Sequence, residues 1–538
     1  MRILFHCRAI ATSLPLALVA APLATQVVPF PLAVTSRDAG LTELHPVPGA
    51  LAGVARAERA VFTGVPTVAD GVVALDVRRV VLRLAPGAMH VDGRPVPGWR
   101  DDSLSLWSGR VLGEDDSQVF LAFCDHGCRG WYGRPGALNH LLAKPGPNGD
   151  WSRASVLLVD DRTAPSAPPL GCQVLTPPGP PPPVPPPAPQ TSSGPLPYYD
   201  APIAFETDYE FYALFNDIAA AQAYALAQIG SVSDRYREQN GVIFTLPYVG
   251  FWTTNTDPWT SNDCSGRLTQ FRTTWRNGGA PVTAPLYHLI SGVPVSGCGG
   301  VAYLNVICNQ AFGFGMSAHI NGRLTFPPVQ GPLTWDYFVL AHELGHQFGT
   351  PHTHDYNPQI DNCAGGDCSV VPNGTIMSYC HTCAGGMNNI NLTFHSRVAA
   401  VIRSTVEGSC LVPFDGVITE DLGEALLGSN GTPAQDVSFV SPRVQIDVAS
   451  APRNEAGALF IGFREMRIAF LGGGTLVPSL DLVLPLVSNA AGDASTSFAV
   501  LRSFPAGLTS WMHSWFLDAS GPNFFAASNA TRVELIRP

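Results

Sequence analysis

His342, His346 and His352 are spaced four and six residues apart, with Glu343 directly after the first and Gly349 between the second and third. The stretch reads H-E-x-x-H-x-x-G-x-x-H. Residues four apart share one face of a helix, so His342 and His346 can offer two ring nitrogens to a single ion. Three protein ligands suit Zn2+ and leave a coordination position open, which a catalytic site needs and a closed structural site lacks. An ion there would acidify a water and polarise a carbonyl. Glu343, one step round the helix, is placed to take the water's proton as general base and to pass it to a leaving amine. Gly349 can adopt a positive φ and end the helix, so that the chain turns back and His352 reaches the ion from outside it. His354, two residues further on, has the wrong spacing for that role.

The elements that must position these groups are legible nearby. The run 333–341 is apolar enough for a buried helix leading into His342, with Thr334 as its N-cap. About 25 residues past His352 comes Gly374-Thr375-Ile376-Met377-Ser378-Tyr379-Cys380-His381. The long histidine string followed by this methionine turn resembles the metzincin zinc metalloproteases. In that family the methionine forms an apolar floor beneath the metal, a role the resemblance assigns to Met377. Astacin-like and serralysin-like members use a tyrosine two residues after the methionine to help at the zinc, and Tyr379 stands there. The cysteines and the upstream sequence look more like the adamalysin (reprolysin, M12B-like) branch, which lacks that tyrosine. Tyr379 therefore has two readings, a catalytic aid or a core residue with its hydroxyl satisfied.

The resemblance implies a zinc metalloendopeptidase that hydrolyses peptide bonds in proteins or peptides. The competing class is a silent binding or adhesion protein on a metzincin scaffold. Silent relatives typically lose the glutamate or a ligand, and here Glu343 and all three histidines are present.

The 538 residues leave room for about three domains. A formal charge of −11, with basic residues scattered, argues against nucleic acid or an anionic membrane surface as partner. Arg2 and Arg8 precede an apolar run at 9–19 and small residues at Ala20, Ala21 and Ala24. This reads as a signal peptide, 1–24, too short and too broken by Pro15 and Pro22 to span a bilayer. No later run has the length of a membrane span. The expectation is a secreted chain, free or attached at a cell surface.

Of 12 cysteines, Cys7 falls in the signal segment and eight surround the histidine string: Cys264, Cys298, Cys308, Cys363, Cys368, Cys380, Cys383 and Cys410. In an exported chain such an even set reads as disulfides. Cys380-x-x-Cys383 also has metal-ligand spacing, but the usual second C-x-x-C pair is missing. Cys124 and Cys128 can pair with each other, which leaves Cys172. It precedes a tract, 177–189, that contains only Gly179, Val184 and Ala188 besides proline. Such a tract is stiff polyproline II. Adamalysins and matrix metalloproteases carry a prodomain whose single cysteine fills the open zinc position, and Cys172 occupies a similar place in the chain. Its flanking residues depart from both families' motifs. Cys172 is either such a switch in a zymogen or a free or differently paired thiol.

The expected layout is a signal peptide at 1–24, a β-rich prodomain-like region at 25–172, a Pro-rich linker at 173–197, a catalytic domain at 198–413 and a β-rich C-terminal domain at 414–538. Runs at 72–77, 80–84 and 118–123 are strand-like. Residues 208–240 and 267–276 have helical patterns, 242–249 is strand-like, and short segments at 284–290, 300–307 and 312–320 are bounded by glycine. This order resembles the adamalysin catalytic domain, an α/β fold with a twisted mixed sheet and long helices. There, residues matching Gly300 to Leu304 lie near the substrate cleft, and an edge strand holds extended peptide. Which strand forms the edge is not fixed by sequence. Alternating segments beyond 414 suggest a β-sandwich-like module. His126 and His140 read as surface residues, His288 and His319 as packed or solvent-facing, and His381 and His395 as supporting residues. Asp355, Asp361 and Asp367 raise Ca2+ as a second ion, although their spacing matches no standard calcium loop.

Overall fold

A computed structural model describes residues 26–38, 41–54, 57–160, 170–178, 197–295, 297–322, 334–414, 416–440, 442–500 and 508–536. The expected signal peptide, Cys7 and most of the proline tract lie outside the described residues. No described helix is long and apolar enough to cross a membrane.

Most strands between residues 26 and 160 form one ten-stranded sheet, antiparallel except where Gln26–Pro29 runs parallel to Arg59–Pro66. In the strand Gln118–Phe123, Val119, Leu121 and Phe123 join Phe62, Leu75 and Trp107 in a core on one face. Phe120 and Ala122 point to the other face and join the core of the following region. Side chains alternate along a strand, so burial on both faces explains why this run is apolar at nearly every position. His140 also differs from expectation. It sits in the strand Ala137–Lys144, where pairing on both sides buries it.

The second sheet carries the site. Its strands are β1 (Arg83–Leu84), β2 (Met89–Val91), β3 (Arg94–Pro95), β4 (Gly171–Leu175), β5 (Tyr198–Thr207), β6 (Val242–Phe251), β7 (Leu286–Ile290), β8 (Cys298–Tyr303) and β9 (Phe314–Ser317). The order is β4-β8-β9-β7-β5-β6-β2-β3, with β1 also on β6. Strands β5, β6, β7 and β9 run parallel, and β8 runs antiparallel to β9. Strands from the N-terminal region thus lie at both edges, β4 against β8 and β1 to β3 at the β6 side.

The helices are α1 (Ile218–Asn240), α2 (Cys264–Thr274), α3 (Trp335–Gln347) and α4 (Ser396–Glu407). Asp217 caps α1 by accepting from the Ala220 N–H at 2.9 Å, and Gly241 ends it at φ 65°. Small residues such as Ala220, Ala221, Ala225 and Gly230 let α1 pack closely, and the Tyr236 hydroxyl donates to the Ala341 carbonyl of α3 at 3.0 Å. Every residue of α3 is buried, the polar Asp336, His342, Glu343, His346 and Gln347 together with its apolar ones. Thr334 stands at the N-cap of α3 without a side-chain capping bond.

Four disulfides hold this region: Cys264–Cys298, Cys308–Cys410, Cys363–Cys380 and Cys368–Cys383. Cys380 and Cys383 each bond to a different partner, so neither is left to bind a metal. Cys124 and Cys128 do not pair. Their sulfurs turn instead to main-chain carbonyls, Cys124 to Gly127 at 3.1 Å and Cys128 to Cys124 at 3.7 Å. Burial pushes both thiols up, to about 12 and about 11.

The C-terminal region is a sandwich. One sheet runs through Val417–Gly423, Ala530–Leu535, Leu508–Leu517, Ala456–Gly462 and Leu482–Val487, and a second through Ala434–Val440, Arg443–Ala449 and Ala494–Ala499. Val437, Ile446 and Val448 from the second sheet share one core with Leu459, Ile461, Met512 and Val533 from the first.

Candidate active site

His342 and His346 stand one turn apart on α3, and Gly349 then takes φ +95°. A Cβ at Gly349 would also meet the Thr405 hydroxyl at 2.6 Å, so both backbone angle and space call for glycine. The turn brings His352 back. Nε2 of His346 lies 3.1 Å from Nε2 of His342 and 3.2 Å from Nε2 of His352.

The opposite ring nitrogens decide what this convergence means. Nδ1 of His342 donates to the Ile376 carbonyl at 2.6 Å, and Nδ1 of His346 to the Thr350 carbonyl at 2.8 Å. Nδ1 of His352 faces the Asp355 carboxylate at 3.4 Å. Carbonyls and carboxylates only accept, so the ring protons sit on Nδ1 and the three Nε2 lone pairs face one another. Burial, with the neighbouring rings, holds His342 and His346 well below the usual imidazole range and hence neutral. Three ring-nitrogen lone pairs at this spacing repel unless a cation lies between them. The donor set fits a zinc ion.

Glu343 is fully buried and neither carboxylate oxygen meets hydrogen-bond geometry with a described group. Burial raises its carboxyl well above the usual range. An unpartnered buried carboxylate beside three ligands is costly, and it suits a group whose partner is a reacting water. The space it occupies depends on Gly300 of β8. A Cβ there would meet Glu343 Oε1 at 2.5 Å and Cγ at 2.6 Å.

Met377 is fully buried below α3, where a Cβ on Gly345 would meet its Sδ at 2.6 Å. The Met377 carbonyl accepts from the Thr353 N–H at 3.0 Å, tying the methionine turn to the chain just past His352. The Tyr379 ring lies 4.6 Å from that of His352.

Cys172 is brought to the same place. It is buried on β4, which runs parallel along β8 with Cys172 opposite Gly300. Its Sγ, a ring nitrogen of His342 and a carboxylate oxygen of Glu343 lie within 4.8 Å of one another. The thiol is beside the carboxylate but not in full hydrogen-bond geometry. Burial, then the Glu343 carboxylate, raise this thiol well above its usual range. Two residues earlier, Leu170 is buried beside Gly299 and Trp335, and its carbonyl accepts from Nε2 of His381 at 2.9 Å.

The remaining candidates fall outside the triad. The His354 ring stacks on His352 at 5.0 Å. His395 caps α4 by accepting from the Arg397 N–H. Among the described residues, Asp355, Asp361 and Asp367 do not converge on one point: Asp361 accepts from the Cys363 N–H and Asp367 from the Ser369 N–H.

Two contributions go beyond the roles that the sequence assigned. Gly300 is one. The other is His288, whose Nδ1 and Nε2 contact Gln347 at 2.8 Å and Ser317 at 2.9 Å. Gln347 also donates to the carbonyls of Tyr287 and Gly313, so this group fixes the C-terminal turn of α3 to the sheet.

A reprolysin-type model of metallo-peptidase family M12 matches residues 201–392. No curated protein sequence matches the chain. Among solved structures, metalloproteinase-II from Bacteroides fragilis is similar at 12% identity, over 57% of this chain and 86% of that one, with a TM-score of 0.35.

Proposed function

We propose that residues 201–392, which match a model of metallo-peptidase family M12, form a metzincin-like zinc metallopeptidase domain, and that the protein is an exported zinc metalloendopeptidase made as a latent precursor. The observation that carries this reading is the convergence of three Nε2 lone pairs beside the unpartnered carboxylate of Glu343.

His342, His346 and His352 hold the ion. When bound, zinc supplies Lewis acidity for a water and for the scissile carbonyl. Glu343 orients the water, takes its proton and delivers it to the departing amine. Met377 supports the rings from below. Tyr379, once released from the Cys172 main chain, donates its hydroxyl to the carbonyl oxygen as charge develops there.

Substrate protein lies extended along β8, which becomes a free sheet edge when β4 leaves. β4 pairs with that edge and brings the Cys172 thiol within 4.8 Å of His342 and Glu343, and we take this to be the position of the scissile carbonyl. Cys172 is thus the latency residue. The disulfides fit an oxidising exterior.

The proposal is tested by loading and stripping metal from the processed protein. One zinc per chain should bind. A chelator should abolish hydrolysis of a denatured protein substrate, and added zinc should restore it. Hydrolysis that persists after the zinc is removed would defeat the proposal.

A further inference from the structure

Latency needs only the short strand β4, yet the N-terminal region meets the rest of the chain over a much larger and separate surface. At the far edge of the catalytic sheet, β1 and β2 run parallel to β6, pairing Arg83 with Thr245, Leu84 with Leu246, Met89 with Val249, His90 with Gly250 and Val91 with Phe251. Main-chain bonds cross here from Ala85 N–H to Leu246, Val249 N–H to Ala88 and Asp92 N–H to Phe251. Arg83 meets Asp200 at 2.8 Å, and the Asp92 carboxylate accepts from the Thr253 N–H and hydroxyl at 2.8 and 2.7 Å.

The contact continues through apolar packing. Val80, Met89, Leu106, Phe120, Trp131 and Trp151 belong to the same buried cluster as Phe338, Leu344 and Met377 around the candidate site. Within it, Nε1 of Trp151 donates to the Phe215 carbonyl at 2.9 Å and Nε1 of Trp99 to Gln222 at 3.0 Å.

A charged cluster closes the junction with the C-terminal sandwich. Arg532, 1% exposed at its side chain, donates through Nε to Glu58 at 2.7 Å. Arg79 meets Glu420 at 3.0 Å and Arg78 meets Asp234 at 2.6 Å. Glu534 pairs with Arg237 at 2.6 Å, and these arginines hold its carboxyl below the usual range against its burial. Among the described residues, no disulfide joins the N-terminal region to the others.

We propose that the N-terminal domain is retained as a non-covalent subunit after the chain is cut in the proline tract, docked on the β6 edge and the Arg532 cluster. A shared core with added strand pairing resembles a permanent interface rather than a transient interdomain contact. Association and latency then sit on opposite edges of one sheet. Activation requires β4 to leave the cleft, not the domain to leave the enzyme. The retained domain keeps the β6 edge from presenting unpaired N–H and C=O groups.

The test does not depend on whether the site is catalytic. A cleavage site for an added protease is placed within 179–196 of the full chain, the protein is cut, and the product is run on a sizing column under native conditions. The proposal predicts one peak holding both fragments in equal amounts. Two separate peaks would overturn it. An Arg83→Ala, Asp92→Ala double variant, checked before cutting for an unchanged melting curve, should raise the dissociation constant about tenfold or more. A dissociation constant equal to wild type would remove the β6 edge from the docking surface.

Discussion

The Tyr379 hydroxyl accepts from the Cys172 N–H at 2.9 Å and donates to the Cys172 carbonyl at 2.5 Å. One side chain thereby satisfies both main-chain groups of the residue whose thiol lies beside Glu343. The strand cannot slide by a residue without breaking both bonds and withdrawing the thiol. Here the Tyr379 hydroxyl is satisfied, as one of its two sequence readings expects. Under the proposed mechanism, that hydroxyl would meet a substrate carbonyl once β4 has gone.

Full-length Cys172→Ala should hydrolyse protein without prior cleavage, because losing the thiol beside Glu343 weakens the hold of β4 and lets substrate displace it from β8, whereas the uncut wild type stays silent. Activity of the two uncut proteins on a fluorogenic protein substrate decides it. A silent Cys172→Ala precursor would show that the backbone of β4 blocks the cleft without the thiol.

Gly300→Ala should slow the chemical step while leaving the zinc site intact, because its Cβ would press on Glu343 Cγ and Oε1 and not on the histidines. A displaced general base costs on the order of tenfold to a hundredfold in rate. Turnover of the processed variant at matched zinc content checks this; an unchanged rate would mean that Glu343 needs no such room.

Gly345→Ala tests the floor beneath the rings. Its Cβ would meet Met377 Sδ at 2.6 Å in a fully buried site. Overpacking of this kind costs about 1–3 kcal/mol, so the variant should melt at a lower temperature than wild type by calorimetry. An unaltered melting temperature would mean that Met377 is free to move.

His288 sets a pH dependence of stability. Burial lowers its ring to about 4, against about 6.5 for an exposed imidazole. Below pH 6.5 the unfolded chain takes up a proton that the folded site refuses until about pH 4. Stability present above pH 6.5 is therefore lost progressively between those values, by about 3 kcal/mol in total. His288→Gln should be less stable near pH 7, through altered bonds to Gln347 and Ser317, yet lose less on acidification. Urea unfolding across that pH range measures both. Parallel pH curves for variant and wild type would contradict the assignment.

The parts of the site legible in the sequence are those set by short-range geometry. Spacing along one helix brings His342 and His346 together, and the glycine at 349 predicts the turn that returns His352. What sequence did not reveal depends on distant pairing. Cys172 reaches Glu343 because β4 adds to β8, a segment more than a hundred residues away. Gly300 matters because β8, held in the sheet by β9, packs against α3, a segment distant from it in the chain. Cys124 and Cys128 are close enough in sequence to bond, but local carbonyls orient both sulfurs otherwise. Likewise β1 and β2 read as part of the N-terminal region, and nothing in those short runs foretells that they join the catalytic sheet.

The central claim is that Glu343 moves a proton at a site held by His342, His346 and His352. It is tested most directly by Glu343→Gln in the processed protein, with zinc content and protein hydrolysis measured on the same sample. Full zinc occupancy with activity lowered by about a hundredfold or more is the predicted result. Full occupancy with wild-type activity would contradict the account.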